Sequence, residues 1–233
     1  MFYRILLKGI LLLICSQAIG QAKFPFDVIS KNEKYVINDS CIYIFEWDSL
    51  QIRNKRIGRV INASIKSNIY EYINNESYKI ESICDTSMTV TYDFNCRIVF
   101  ANDKVISTYL RSVVDYNNGR QGEDDFKTIN YNSKSGDIVN FNTLILKDKI
   151  PEMDTLIIHR MIEIMNDYEV DYVDNKKYWK EQLNNLNYIL SRNGINIIMT
   201  NQRGGYNSNS WKQEIFLTLD EIKDFICDKE LFK

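Results

Sequence analysis

Histidine is the scarcest chemically useful residue in this chain, with His 1 among 233 residues. Zinc sites and Ser-His-Asp or Cys-His catalysis lean on imidazole, so a lone His159 leaves most familiar hydrolase chemistries without a base or ligand. Proline is nearly missing too, at Pro 2 beside Gly 9, which excludes collagen-like and Pro/Gly-rich low-complexity chains. Charge of one sign is also missing. Lys+Arg 29 against Asp+Glu 31 leaves a formal charge of -2, without the basic excess that nucleic acid requires of a partner. No apolar run reaches the ~20 residues that cross a bilayer. What remains is hydrophobic 45% and charged 26%, the make-up of a packed globular protein of one large domain or two small ones.

The most apolar stretch stands at the start. Arg4 and Lys8 precede Ile10-Leu11-Leu12-Leu13-Ile14-Cys15, and the small-residue stretch Ser16-Gln17-Ala18-Ile19-Gly20 follows. This is the charged, hydrophobic and cleavable layout of a secretory signal peptide over residues 1–20, with the mature chain starting at Gln21. The alternative is a lipid-modified Cys15, which the bulky Ile14 disfavours and which would anchor the chain through its acyl group alone. Either reading exports the protein to the periplasm or the exterior. Losing Arg4 and Lys8 takes the formal charge from -2 to -4, which favours solubility.

Cysteine usage agrees with export. Of 5 Cys, Cys15 lies in the signal, leaving Cys41, Cys84, Cys96 and Cys227. An even number in an oxidising compartment points to two disulfides in one of three connectivities; free buried thiols are the alternative. No C-x-x-C pair is present, so redox catalysis and zinc clusters have no support.

Residues 21–40 carry no sustained pattern. Cys41 to Trp47 is β-branched and aromatic and reads as a strand, and Ile57, Val60, Ile61, Ile65, Ile69 and Ile73 then fall at helical spacing over about 55–75. Met88, Val90, Tyr92, Phe94, Cys96, Ile98 and Phe100 alternate with polar residues including Asp93, Asn95 and Arg97, so one face of that strand packs on a core and the other is wet. Asn102-Asp103 turns the chain into a second strand over 104–116, giving an antiparallel hairpin at the centre of a sheet. Residues 117–125 read as a polar loop, followed by a hairpin of 126–131 and 138–141 around the turn Asn132-Ser133-Lys134-Ser135-Gly136.

Pro151 suits the first turn of a helix whose stripe is Met153, Leu156, Ile157, Met161, Ile164 and Met165, ending near 167. A second helix is expected around 176–187. Residues 188–190 and 195–199 form a hairpin with an αL glycine at Gly194, residues 201–210 a Gly/Asn/Ser loop, and 211–217 the last strand. Thr218-Leu219-Asp220-Glu221 is a capping box that starts a closing helix. The sum is an α+β fold, an antiparallel sheet of hairpins with helices packed on one face, as a single domain over 21–233 with subregions 21–116 and 117–233.

This order of elements, with Ile61-Asn62, Ile129-Asn130-Tyr131-Asn132-Ser133-Lys134-Ser135-Gly136-Asp137-Ile138-Val139 and Gly194-Ile195 at its marked positions, resembles a bacterial extracytoplasmic domain of unknown function over about 41–227. That domain occurs outside the membrane in the lysozyme-sensing anti-sigma factor and in accessory regions of peptidoglycan deacetylases. The resemblance implies a recognition domain rather than a reaction. Two loops depart from the family pattern: its Gly-Gly-Ala-His-type loop is replaced by Gly119 to Asp125 without histidine, and its Pro-Tyr segment by Asn201 to Tyr206.

The candidate sites each have a plainer reading. His159 sits among Leu156, Ile157, Ile158 and Met161, which suggests a core or boundary histidine. Glu123, Asp124 and Asp125 offer an acid/base pair, a cation site or simply a solvated acidic loop, at a spacing that matches no calcium loop. The acids from Asp167 to Asp174 read as a solvated connection, and Gly204-Gly205 as loop flexibility rather than a phosphate loop. Tyr206 and Trp211 flank a polar loop as aromatic contacts for a glycan or protein. No cofactor, metal, nucleic acid or transmembrane segment is expected. The function expected is non-catalytic binding of a basic lysozyme-like protein or a cell-wall glycan, against carboxylate-based glycan hydrolysis or a structural envelope role.

Overall fold

The computed structural model describes residues 26–38, 41–74, 90–116, 120–166, 183, 186–200 and 212–233. The fold is α+β, with a five-stranded and a three-stranded sheet. The first sheet runs in the order β1 (Asp27–Asn38), β2 (Cys41–Gln51), β3 (Val90–Ala101), β4 (Val105–Tyr116) and β5 (Arg120–Asn132). β2 and β3 are parallel, from Cys41 opposite Val90 to Trp47 opposite Cys96, and the other neighbours are antiparallel. Parallel neighbours need a long crossover, and α1 (Lys55–Asn74) lies within it.

Four members of the helical stripe do what its spacing predicts, Ile57, Ile61, Ile65 and Ile69 being buried against Tyr43, Phe45, Trp47, Val90, Tyr92, Phe94 and Leu110, whereas Val60, one residue off that face, is exposed. Asn54 caps the helix, its Oδ1 accepting from the N–H groups of Arg56 (3.2 Å) and Ile57 (3.4 Å). Asn62 then acts as a substitute strand partner, accepting from Leu50 N–H at 2.8 Å and donating to the Leu50 carbonyl at 2.9 Å. On the far side of the core Tyr131 of β5 reaches Ser64 of α1, oxygen to oxygen, at 3.1 Å.

The second half carries α2 (Phe141–Leu144), α3 (Ile150–Asn166), the sheet β6 (Asn187–Ser191), β7 (Gly194–Thr200), β8 (Lys212–Thr218), and α4 (Leu219–Ile222). Met153, Ile157 and Met161 of α3 bury against Leu190, Ile195, Ile197, Ile215 and Leu217. Phe100 and Val105, beside the β3–β4 turn, belong to this second core. The capping box at Thr218 is present in both directions. The chain end is tied back to the first sheet, because Asn102 Nδ2 donates to the carbonyls of Leu231 (2.9 Å) and Lys233 (3.0 Å).

Several expectations change. The patternless stretch before residue 41 contains β1, an edge strand whose Lys31, Asn32 and Lys34 face water, so its sequence shows no apolar alternation. Residues 120–125 are strand rather than loop: Gln121 opposes Asp115 and Asp124 opposes Val113, leaving Gly122 and Glu123 opposite Val114 at a register shift. Residue 138 makes one bridge, to Tyr131, instead of starting a full return strand. The turn itself is as expected, with Asn132 Oδ1 accepting from Lys134 and Ser135 N–H and Gly136 at φ 82°.

Gly194 differs from an αL glycine. Its φ is 149°, and a Cβ there would lie 2.0 Å from the Leu217 carbonyl oxygen, so glycine serves the close approach of β8. Leu183 alone is described within the helix expected over 176–187. No disulfide occurs among the described residues: Cys96 and Cys227 are free. The two-bridge expectation fails at these positions because Cys96 is sealed in the first core, while Cys227 is exposed beside the second core's Ile226. Burial, helped by nearby Asp48, pushes the Cys96 thiol up to about 12, so it behaves as a small apolar side chain. The side chain of Cys41 and all of Cys84 lie outside the described residues.

Candidate functional site

Alternation in β3 buries Tyr92, Phe94 and Cys96 on one side and aims Asp93, Asn95 and Arg97 to the other. Register extends that polar side across the sheet: Asn32, Glu46, Asn95, Arg111 and Phe126 stand opposite one another through all five strands, and Ser30 with Asp48, and Arg97 with Tyr109, pair alongside. The result is an open polar face with an aromatic end.

Arg97 organises it. One guanidinium nitrogen donates to Glu46 Oε2 at 2.6 Å and the other to Asp48 Oδ1 at 3.3 Å. Asp48 also accepts from Ser30 Oγ at 3.0 Å and, through Oδ2, from the Ile98 N–H at 2.9 Å, just past the last β2–β3 ladder pair. Asn32 and Asn95 amides donate to the two oxygens of Glu46 at 3.3 and 3.4 Å. Beside this group, partial burial and the charge of Glu46 raise the Asp93 carboxyl, against the opposing pull of Arg111 and Arg97. Arg111 in turn lies 5.9 Å from the centre of the Phe126 ring, and Tyr109 packs on the same ring at 5.6 Å. A face that offers fixed carboxylates, amides and guanidinium groups suits hydrogen-bonded recognition of a polar partner.

The lower part of the same face is closed by the second sheet. Asn130 accepts from Ser107 Oγ at 2.5 Å and donates to the Tyr188 carbonyl at 2.8 Å, while Thr128 Oγ1 accepts from Tyr188 N–H at 2.7 Å. These side chains do for β5 and β6 what a main-chain ladder does elsewhere, and they set the second lobe at the border of the open polar face.

In that second lobe a shallow open concavity of about 480 Å³ lies between α3 and β8, lined by Arg160, Glu163, Glu214, Phe216, Thr218 and Glu221. Arg160 bridges Glu163 (3.0 Å) and Glu221 (2.6 Å), and Asn196 donates to Glu214 at 2.6 Å. Hydrogen bonds from the Thr218 hydroxyl and backbone N–H, then from Arg160, hold Glu221 down to about 2. It is therefore ionised at neutral pH and unsuited to act as a general acid.

Of the residues singled out from sequence, Glu123, Asp124 and Asp125 run along the edge strand β5, their side chains outside the described residues. Tyr206, Trp211, Asp167 to Asp174 and Gly204-Gly205 are likewise outside them. His159 is exposed on α3, so it is not a core histidine. Glu46, Asp48 and Arg111 were not singled out. The alternation of β3 signalled its own wet face, and the neighbouring strands that complete it follow from the register. Among the described residues no group of three or more His, Cys, Asp or Glu is placed to hold a metal, and no described helix is long and apolar enough to cross a membrane.

Solved structures share this fold. A DUF3298 family member from Bacteroides fragilis superposes with a TM-score of 0.55 at 11% identity, covering 90% of this chain and 96% of that one. A DUF3298 family protein from Pseudomonas aeruginosa gives a TM-score of 0.55 at 9% identity, with 89% and 97% covered. At such identities the likeness is one of fold. The chain matches no family model and no curated protein.

Proposed function

We propose that residues 21–233 form a single exported, non-catalytic recognition domain that binds a basic, lysozyme-like protein through the polar face of the five-stranded sheet and its acidic edge. The observation that carries this is the row Asn32, Glu46, Asn95 and Arg111, exposed or half-exposed across four strands and ending at the buried Phe126 of the edge strand that bears Glu123, Asp124 and Asp125. The resemblance to the extracytoplasmic domain of the lysozyme-sensing anti-sigma factor supports the partner, and the charge of -4 expected after removal of residues 1–20 supports its sign. Export rests on the signal-like layout of residues 1–20.

The test is calorimetric titration of the mature chain with a lysozyme at low and high salt. Glu123, Asp124 and Asp125 changed together to Ala should weaken binding roughly tenfold or more at low salt and less at high salt, since exposed charges are screened. Unchanged affinity at low salt removes the electrostatic version, and binding to peptidoglycan sacculi in place of lysozyme would move the partner to a cell-wall glycan.

A second reading draws on Asp93, whose carboxyl is raised by partial burial and by Glu46, and on the neighbouring Glu46, which is ion-paired with Arg97 at 2.6 Å. A raised carboxyl beside a second carboxyl is what acid-assisted glycan cleavage requires. Release of soluble muropeptides by the native chain and its loss in Asp93→Asn would favour this reading; equal, background release by both would end it.

A further inference from the structure

One corner of the molecule carries charge that the fold leaves unbalanced. Arg53, Lys55, Arg56 and Arg59 are exposed at the start of α1, and Lys134 is exposed in the turn that follows β5. That turn packs on the same end of the helix, since a Cβ on Gly136 would stand 3.2 Å from Val60 Cγ1 and 3.7 Å from Ile57 Cγ2. Among the described residues no carboxylate forms an ion pair with any of the five cations. Asp27, Asp103 and Asp137 are exposed at this end of the sheet but are outnumbered, and the sequence before Phe26 contains no Asp or Glu to change the sign.

Local electrostatics would place acids here. The first turn of a helix favours Asp or Glu, yet α1 has none there, and Lys55 and Arg59, four residues apart, repel each other. The backbone N–H groups at this helix start already have partners: Asn54 Oδ1 accepts from Arg56 and Ile57, and the Asn54 carbonyl accepts from Gly58. The cations therefore work against the helix they begin, and local rules are broken in this way where a surface serves binding. Val60 and Ile138, 48% and 57% exposed, accompany them as large apolar side chains, Val60 beside Arg59 and one turn from Arg56, Ile138 just past the Lys134 turn.

We propose that this corner binds the surface of an anionic phospholipid bilayer. The guanidinium and ammonium groups pair with lipid phosphates, while Val60 and Ile138 enter the boundary between head groups and acyl chains. Those two side chains select the bilayer over a dissolved polyanion, which offers them no apolar medium. A second copy of this chain is disfavoured, because it would bring the same cations against their own kind. α1 covers the face of the five-stranded sheet opposite to Asp93, Asn95 and Arg97, so the contact does not use the polar face and stands whether or not that face binds lysozyme.

Co-sedimentation of the mature chain with vesicles of phosphatidylcholine, alone or mixed with phosphatidylglycerol, tests it. The anionic vesicles should bind roughly tenfold or more tighter, with salt eroding the difference. Arg56→Glu with Arg59→Glu should remove most of that preference while leaving the unfolding midpoint at or above the native value, since acids suit this end of a helix. Val60→Ser with Ile138→Ser should weaken binding to the anionic vesicles several-fold. Equal binding to both kinds of vesicle, or a preference that survives the Arg56 and Arg59 changes, would overturn the proposal. So would vesicle binding that ignores Val60 and Ile138 and is abolished by competing polyphosphate, which would assign the corner to a dissolved anionic polymer.

Discussion

The two cores are built from different materials. Behind the five-stranded sheet, rings stack in series: Tyr43 on Tyr92 at 4.7 Å, Phe45 on Phe94 at 5.1 Å and on Tyr70 at 5.4 Å. Under the three-stranded sheet the filling is Met153, Ile157, Met161, Leu190, Ile195, Ile197, Ile215 and Leu217, with Phe141 edge-on to Tyr188 at its border. Flat rings fix one another's orientation, whereas thioethers and aliphatic chains adjust to a change of shape. The first lobe therefore has the rigidity to hold a flat polar face in register. The second is the more adaptable packing.

The sharpest test of that contrast is a pair of substitutions at equally buried positions. Phe45→Ala removes a ring that is 0% exposed and touches three others, and should cost about 3–5 kcal/mol. Met161→Leu, also at 0% exposure, conserves volume in the pliable core and should cost less than about 1.5 kcal/mol. Urea unfolding followed by the far-ultraviolet peptide signal measures both. Comparable losses would break the comparison.

Smaller in effect is the seam between the lobes. Asn130→Ala leaves the Ser107 hydroxyl and the Tyr188 carbonyl buried without their present partner, a loss of roughly 1–3 kcal/mol. Because the bond to Tyr188 joins the two sheets, the expected signature is a split transition, with peptide far-ultraviolet signal and the fluorescence of Trp47, isolated by Trp179→Phe and Trp211→Phe, no longer coincident. A single coincident transition at reduced midpoint would mean that packing alone joins the lobes.

Legibility in the sequence followed the same division between face and edge. Strands with one wet and one dry face announced themselves, as β3 did through Tyr92, Phe94 and Cys96 against Asp93, Asn95 and Arg97, and so did the 3.6-residue stripe of α1 and the cap at Thr218. The edge strands of the first sheet did not. β1 and the first half of β5 are long on charge and short on alternation, so a period-2 search finds nothing there. The parallel pairing of β2 with β3 was hidden for another reason, since a crossover helix is compatible with several strand orders. The polar face was half visible: its β3 row could be read, but Glu46, Asp48 and Arg111 join it only through register, which no local pattern encodes. Cys96 misled because counting cysteines gives parity and compartment, not distance.

The smallest expected effects set the lobes against each other in acid. Glu221 of the second lobe has a folded value near 2, below the ordinary 4.5, so its contribution is fully present above about pH 4.5 and is lost as pH falls toward 2. Asp93 of the first lobe is raised, by partial burial and then by Glu46, so its sign is opposite: the folded state favours its neutral form, and acid relieves the strain. Thr218→Ala removes the hydroxyl that is the largest cause of the Glu221 shift and should cost about 1 kcal/mol at pH 7, with the gap to the native chain closing as pH approaches 2. Asp93→Asn, which imitates the protonated acid, should be slightly more stable than the native chain at pH 7 and level with it at pH 3. Unfolding midpoints of the three proteins from pH 2.5 to 7 read both trends: relative to the native chain Thr218→Ala should rise with acid and Asp93→Asn should fall, and two variants that both rise or both fall would show that a shared surface charge, rather than these two local networks, governs the acid response.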